Sequence, residues 1–143
     1  MPITVAESRR RLLEVTVDGS LARLADDCAI DLIMLFGSAV DDGDTGTVGI
    51  APRDLDLAVG FRYGKPRNLL ATVNALEELG PGDHLDVMDL DRAGPVARER
   101  ALRGGRVLYQ RCPAAFFERE IFAMKEFMET RELRARQLVE LAR

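Results

Sequence analysis

The sequence predicts an α/β (α+β) domain, a mixed sheet flanked by helices and followed by a long C-terminal helix, on three observations. Ile30 to Phe36 is apolar except for Asp31 and is too short and continuous for a surface helix, so it reads as a strand buried on both faces. Asp54-Leu55-Asp56-Leu57-Ala58-Val59-Gly60-Phe61 alternates apolar with polar or small residues, the pattern of a half-buried strand. Segments of helical period, closed by glycine or proline, separate the apolar runs.

Each element follows in order. Residues 6–16 carry Leu12, Leu13 and Val15 among charges, Asp18-Gly19-Ser20 interrupts them, and Leu21, Leu24 and Ala25 resume the period, which predicts two short helices. The first strand then runs straight into Gly37-Ser38. Residues 39–53 hold Asp41-Asp42-Gly43-Asp44-Thr45-Gly46, Gly49 and Pro52 with no apolar period, so they read as a loop, and one this long in a compact domain points to function or mobility. The second strand sets Leu55, Leu57, Val59 and Phe61 on one face and Asp54, Asp56, Ala58 and Gly60 on a small, acidic, open one. Pro66 at a helix start, with Leu69, Leu70, Val73, Leu76 and Leu79 at helical spacing and Gly80-Pro81-Gly82 behind them, predicts the next helix. His84 to Leu90 reads as a strand, Pro95 to Leu102 as a helix ended by Gly104-Gly105, and Arg106 to Tyr109 as a short strand. A single long helix is expected from about Ala115 to Leu141.

Composition bounds the function classes. The 143 residues fit one domain, expected to span the whole chain with its core in residues 20–110. Apolar residues at 47% and charged residues at 31% are those of a globular protein rather than a disordered one. A net charge of −4 argues against direct, sequence-independent nucleic-acid binding, which needs a surplus of Lys and Arg. The N-terminal run lacks the apolar core of a signal peptide and no apolar stretch approaches the ~20 residues of a membrane span, so a cytoplasmic location without membrane contact is expected. Cys28 and Cys112 with His84 as the lone histidine are too few for a Cys/His zinc site, and both thiols are expected to stay reduced.

The chemistry-bearing constellation is a buried strand ending in Gly37-Ser38, a loop, and Asp54-x-Asp56 on the next strand. Side chains two apart on a strand project side by side, so both carboxylates reach the same cations, and hard oxygen donors suit Mg2+. Two such ions can activate an attacking hydroxyl and hold a leaving pyrophosphate. Gly37 lets the backbone approach a triphosphate, and Ser38 offers its hydroxyl and N–H to phosphate oxygens. A third carboxylate is expected from the strand at 84–90, which offers Asp86 or Asp89. Alternation favours Asp86, which shares a face with His84, Met88 and Leu90, whereas Asp89 lies with Leu85 and Val87 on a packed face.

These residues resemble the signature of the polymerase β nucleotidyltransferase superfamily: Leu35-Phe36-Gly37-Ser38, then Asp54-Leu55-Asp56-Leu57, then Leu85-Asp86-Val87. The form is similar to the minimal nucleotidyltransferases, whose late segment Gly104-Gly105-Arg106-Val107-Leu108-Tyr109 matches. What the resemblance implies is that family's mixed-sheet fold and an antitoxin that transfers AMP from ATP, with Mg2+, to a tyrosine hydroxyl of a HEPN-domain ribonuclease toxin. Asp54, Asp56 and Asp86 would be the catalytic metal ligands, and Gly37 and Ser38 the nucleotide-binding residues. The sequence departs from the family between Gly-Ser and the first Asp. Residues 39–53 form a longer interval than usual, and it begins Ala39-Val40-Asp41-Asp42 where the family often has an arginine. Arg53, Lys65 and Arg67 are the candidates to replace that charge.

Two other functions stand beside this one: an antitoxin that neutralises its toxin by binding alone, for which the acidic interval is the mark, and a nucleotidyltransferase acting on a small molecule. The chain is short of the extra substrate domain that antibiotic-modifying relatives add, which favours a protein acceptor. An EF-hand at Asp42-x-Asp44 is rejected, because Thr47 stands where the loop needs glycine and Arg53 where it needs glutamate. His84 reads as a solvent-facing residue at the start of its strand. Phe117, Ile121, Met124 and Met128, widened by Phe116, Phe122 and Phe127, exceed what one helix buries against a small domain. Part of that stripe is expected to meet a partner, in a homo-oligomer or a hetero-oligomer. Arg131, Arg134, Arg136 and Arg143 alternate with Glu132 and Glu140 as a solvated helix end does.

Overall fold

The computed structural model describes residues 3–40 and 54–143. Along the chain run α1 (Val5–Val17), α2 (Ser20–Asp27), β1 (Ile30–Phe36), a 3-10 turn (Gly37–Ala39), β2 (Leu55–Phe61), α3 (Leu69–Glu78), β3 (Leu85–Asp89), α4 (Pro95–Gly104), β4 (Arg106–Gln110), α5 (Pro113–Glu129) and α6 (Arg131–Leu141). The expected α+β architecture with a mixed sheet holds. The strand order is β3-β2-β1-β4, with β1 antiparallel to β2 and β4 and with β2 parallel to β3. From residue 41 the expected loop, with its acidic run and Arg53, lies outside the described residues.

The sheet is packed on both sides. Ile33 and Leu35 of β1 join Leu55, Leu57, Val59 and Phe61 beneath Leu12, Leu21, Leu24 and Leu76 of the first three helices. Leu32 and Met34 join Ala58 and Leu90 beneath Ala101, Leu102 and Ala123 of α4 and α5. The central strand is therefore buried on both faces, as its unbroken apolar run predicts. Each such aliphatic side chain contributes ~1.5–3 kcal/mol by leaving water. The second layer corrects the expectation for β2: Ala58 and Gly60 are buried, Gly60 lying against the Arg119 guanidinium, so the small face is open only at its Asp54–Asp56 end.

Helix ends follow local capping. Thr4 accepts from the Glu7 N–H and Asn68 from the Ala71 N–H, at 3.1 and 3.0 Å. The Asn68 cap sets the start of α3 at Leu69 rather than at Pro66. His84 is half-buried rather than solvent-facing: its Nε2 lies 2.6 Å from the Ile3 carbonyl, tying the N-terminal segment to the start of β3. Cys28 packs against the first core layer, Cys112 is exposed at the N-cap of α5, and both are free thiols.

The expected single C-terminal helix is two, broken at Thr130 (φ −92, ψ 1). The Thr130 hydroxyl donates to the Glu126 carbonyl at 2.9 Å, a back-bond that bends helices, and Arg134 donates to the freed Phe127 carbonyl at 2.8 Å. α6 buries none of its residues, so no packing opposes the break. On α5 the predicted apolar stripe is open: Phe117 is 59% exposed and Met128 72%. No helix among the described residues is long and apolar enough to cross a membrane.

Candidate active site

The ends of β1, β2 and β3 meet at one edge of the molecule. The last residue of β1, Phe36, pairs with Asp56. Gly37 then turns the chain with φ +76, a conformation that favours glycine, and a Cβ at this position would overlap the Asp56 carboxylate. Glycine is thus required twice, for its backbone angle and for the contact with Asp56. Ser38 follows, exposed in the 3-10 turn. Parallel pairing sets Asp86 of β3 directly beside Asp56, on the same face, and Asp54 stands exposed one residue before β2 begins. All five sequence-predicted residues, Gly37, Ser38, Asp54, Asp56 and Asp86, therefore lie at this end of the sheet.

The electrostatics fit a cation site. Burial pushes the Asp56 carboxyl above its ordinary range, and the negative charges of Asp86 and Asp54 push it further, with Arg100 opposing them. Among the described residues no cation forms an ion pair with any of the three carboxylates. These are hard oxygen donors. Mg2+ takes one or two carboxylates and completes its shell with water and phosphate oxygens. Among the described residues, no three His, Cys, Asp or Glu side chains are drawn close enough to hold an ion by themselves. An open group completed by a nucleotide fits that chemistry.

Asp89 is used differently. Its side chain is 7% exposed and accepts from Arg67 at 3.1 Å. Arg67 also lies over the Phe61 ring, so it is engaged at the opposite end of β2 from Asp56 and does not supply the missing charge. Lys65 is exposed in the turn after that same end, and Arg53 lies outside the described residues. The cation that does act on Asp56 is Arg100, which the sequence did not single out. In sequence Arg98, Arg100 and Arg103 look alike. Packing separates them, for Arg98 is buried against the Leu90 carbonyl and Glu126, Arg103 pairs with Glu99, and Arg100 has no ion-pair partner among the described residues. Gly105 is a second residue missed. A Cβ there would overlap the Ala101 carbonyl and come within 2.9 Å of Met34, so the glycine lets the end of α4 lie against β1 just before Gly37.

Helices over a mixed sheet, with Gly-Ser and three carboxylates gathered at the strand ends, are the arrangement of a nucleotidyltransferase. The family model described as "Polymerase beta, Nucleotidyltransferase" matches residues 21–113, and the chain belongs to this family. Among solved structures it is similar to a chain of a toxin–antitoxin complex with AMP-PNP, at 18% identity and a TM-score of 0.67 over 88% of this chain and 98% of that one. A chain of the MntA–HepT toxin–antitoxin complex matches at 16% identity and TM-score 0.65, over 91% and 99%. A chain of the complex of tri-AMPylated Shewanella oneidensis HEPN toxin with MNT antitoxin matches at 16% and 0.66, over 92% and 99%. At such identities the likeness is one of fold. No curated protein matches the chain.

Proposed function

We propose that this chain is a Mg2+-dependent adenylyltransferase of a toxin–antitoxin pair, moving AMP from ATP to a tyrosine hydroxyl on a HEPN-type toxin and thereby silencing it. The observation that carries this reading is the contact of the Gly37 backbone with Asp56 while Asp86 stands beside Asp56 in register. It brings the Gly37-Ser38 turn together with Asp56 and Asp86 at one point, which supports phosphate binding beside a metal site. The solved neighbours support the choice of substrate and partner, since one is crystallised with AMP-PNP and another with an AMPylated HEPN toxin.

In this mechanism the Gly37 and Ser38 turn holds the β- and γ-phosphates, and Arg100 neutralises their charge from α4. Asp54 and Asp56, with Asp86, would hold two Mg2+ ions. When bound, the metal supplies positive charge that stabilises the developing phosphate charge and makes the acceptor hydroxyl more acidic. Asp86 takes the proton from the acceptor. The acceptor oxygen bonds to the α-phosphorus, the bond from that phosphorus to the bridging oxygen breaks, and pyrophosphate leaves with the electron pair. The chain would act in the cytoplasm, on a protein rather than on nucleic acid.

Thermal melts separate this reading from neutralisation by binding alone. Mg-ATP should raise the Tm of the wild type and not that of Asp54→Ala. No shift in either would favour the binding-only antitoxin. Turnover on a free hydroxyl compound without a protein partner would identify a small-molecule enzyme instead.

A further inference from the structure

β3 ends the sheet, and its outer edge is open among the described residues. The phase of the β2–β3 ladder tells which backbone groups face outward. Leu55 donates to the His84 carbonyl and Leu90 donates to the Val59 carbonyl, both at 2.8 Å, in a parallel register of Leu55 with Leu85. The even-numbered residues His84, Asp86, Met88 and Leu90 therefore spend their backbone groups on β2. Leu85, Val87 and Asp89 point theirs away. The Asp89 carbonyl accepts from the Arg92 N–H at 3.1 Å, whereas among the described residues Leu85 and Val87 have no partner for either backbone group. An unpaired edge of this kind is a template for another strand.

From this edge we infer that the hydroxyl-bearing segment of the acceptor protein binds as an added antiparallel strand on β3, an inference that rests on the adenylyltransferase reading above. The register provides the argument. A segment whose backbone exchanges both hydrogen bonds with Val87 places its next residue opposite Asp86 in the closely spaced pair, with Cβ atoms about 4.5–5.5 Å apart on the same face. That face carries Asp56 and Asp86, so a hydroxyl on that residue is delivered to the carboxylates. A cavity of about 340 Å³ continues the edge past Met88, bounded by Arg67, Leu69, Asp89, Arg92 and Ala93, and accommodates the side chains that precede the acceptor residue in the added strand. Arg92, 74% exposed at its rim and held only loosely by Asp89 at 3.9 Å, favours an acidic residue there.

Amide hydrogen exchange of the full chain tests this, with the protein encoded beside it and a non-hydrolysable ATP analogue with Mg2+. The Leu85 and Val87 amides should become protected on complex formation. Val87→Pro removes one outward N–H without touching the bonds to β2, so it should keep the Mg-ATP shift in Tm while lowering AMP transfer at least about tenfold. Val87→Leu, which keeps the N–H, should transfer as the wild type does. Protection without AMP transfer would leave the added strand standing and overturn the transferase reading. Transfer with unprotected Leu85 and Val87 amides, or undiminished transfer by Val87→Pro, would overturn the added strand.

Discussion

The two ends of the sheet hold similar numbers of carboxylates and treat them in opposite ways. At the end where β1 begins and β3 finishes, three acidic side chains each have an arginine. Asp31 pairs with Arg111 at 2.7 Å, Asp89 with Arg67 at 3.1 Å and Asp91 with Arg119 at 3.1 Å. Arg119 also donates to the Phe61 carbonyl at 2.9 Å, and the Phe61 N–H donates to Asp91 at 3.2 Å, closing the network. At the other end Asp54, Asp56 and Asp86 share one edge of the sheet without an ion pair among the described residues, and Asp56 is pushed up by burial and then by its two acidic neighbours. A buried charge with a partner holds a fold together, whereas a group of carboxylates without one is an unfavourable arrangement that a cation would relieve. The contrast separates architecture from chemistry within a single sheet.

The sharpest way to break the comparison is to neutralise the unpaired end. Replacing both Asp54 and Asp56 by Asn should lower AMP transfer at least roughly 1,000-fold, since a metal supplies several kcal/mol of charge stabilisation. Steady-state assays of purified protein check it. Next comes the pair on β3. Asp86→Asn should lower transfer roughly 100-fold or more at unchanged Tm, while Asp89→Asn should cost ~1–3 kcal/mol of stability and leave turnover per folded molecule near wild type. Denaturant melts run beside the assay separate the two effects.

Arginines at the two ends should also part company. Arg100→Ala should raise the KM for ATP roughly 10- to 100-fold, the loss of a charge-assisted contact worth ~1.5–3 kcal/mol, with little change in Tm. Arg119→Met should do the reverse, lowering Tm by leaving Asp91 and the Phe61 carbonyl short of a donor while KM stays the same. The smallest effect is one of pH on the metal-free protein. A carboxyl whose folded pKa is raised contributes stability that is full below its unfolded pKa of about 3.9 and is lost as pH rises through the folded value. Melts in chelator should show this loss at and above the ordinary carboxylate range, and Asp56→Asn should remove it.

Much of this contrast was legible in the sequence, for reasons that differ by residue. An unbroken apolar run announced β1 because only a strand covered on both faces needs one. Alternation separated the β3 carboxylate that shares the face of Asp56 from the one that does not, because the period of a strand is two. Gly37-Ser38 could be tied to the carboxylates because the strand leads directly into it. Other features depended on tertiary packing. Arg100 is one of three similar arginines on α4, and only the seating of Ala101 and Leu102 against the sheet decides which one faces the site. The cover over Ala58 and Gly60 comes from α4 and α5, distant in sequence. The break at Thr130 arises from one hydroxyl and one arginine that any solvated helix could carry without breaking.

The measurement that bears most directly on the account is the intact mass of the protein encoded beside this one after incubation with this chain, ATP and Mg2+. The account predicts a gain of AMP units with the wild type and none with the Asp54→Ala/Asp56→Ala double variant. An unchanged mass despite a stable complex, or an equal gain with the double variant, would contradict it.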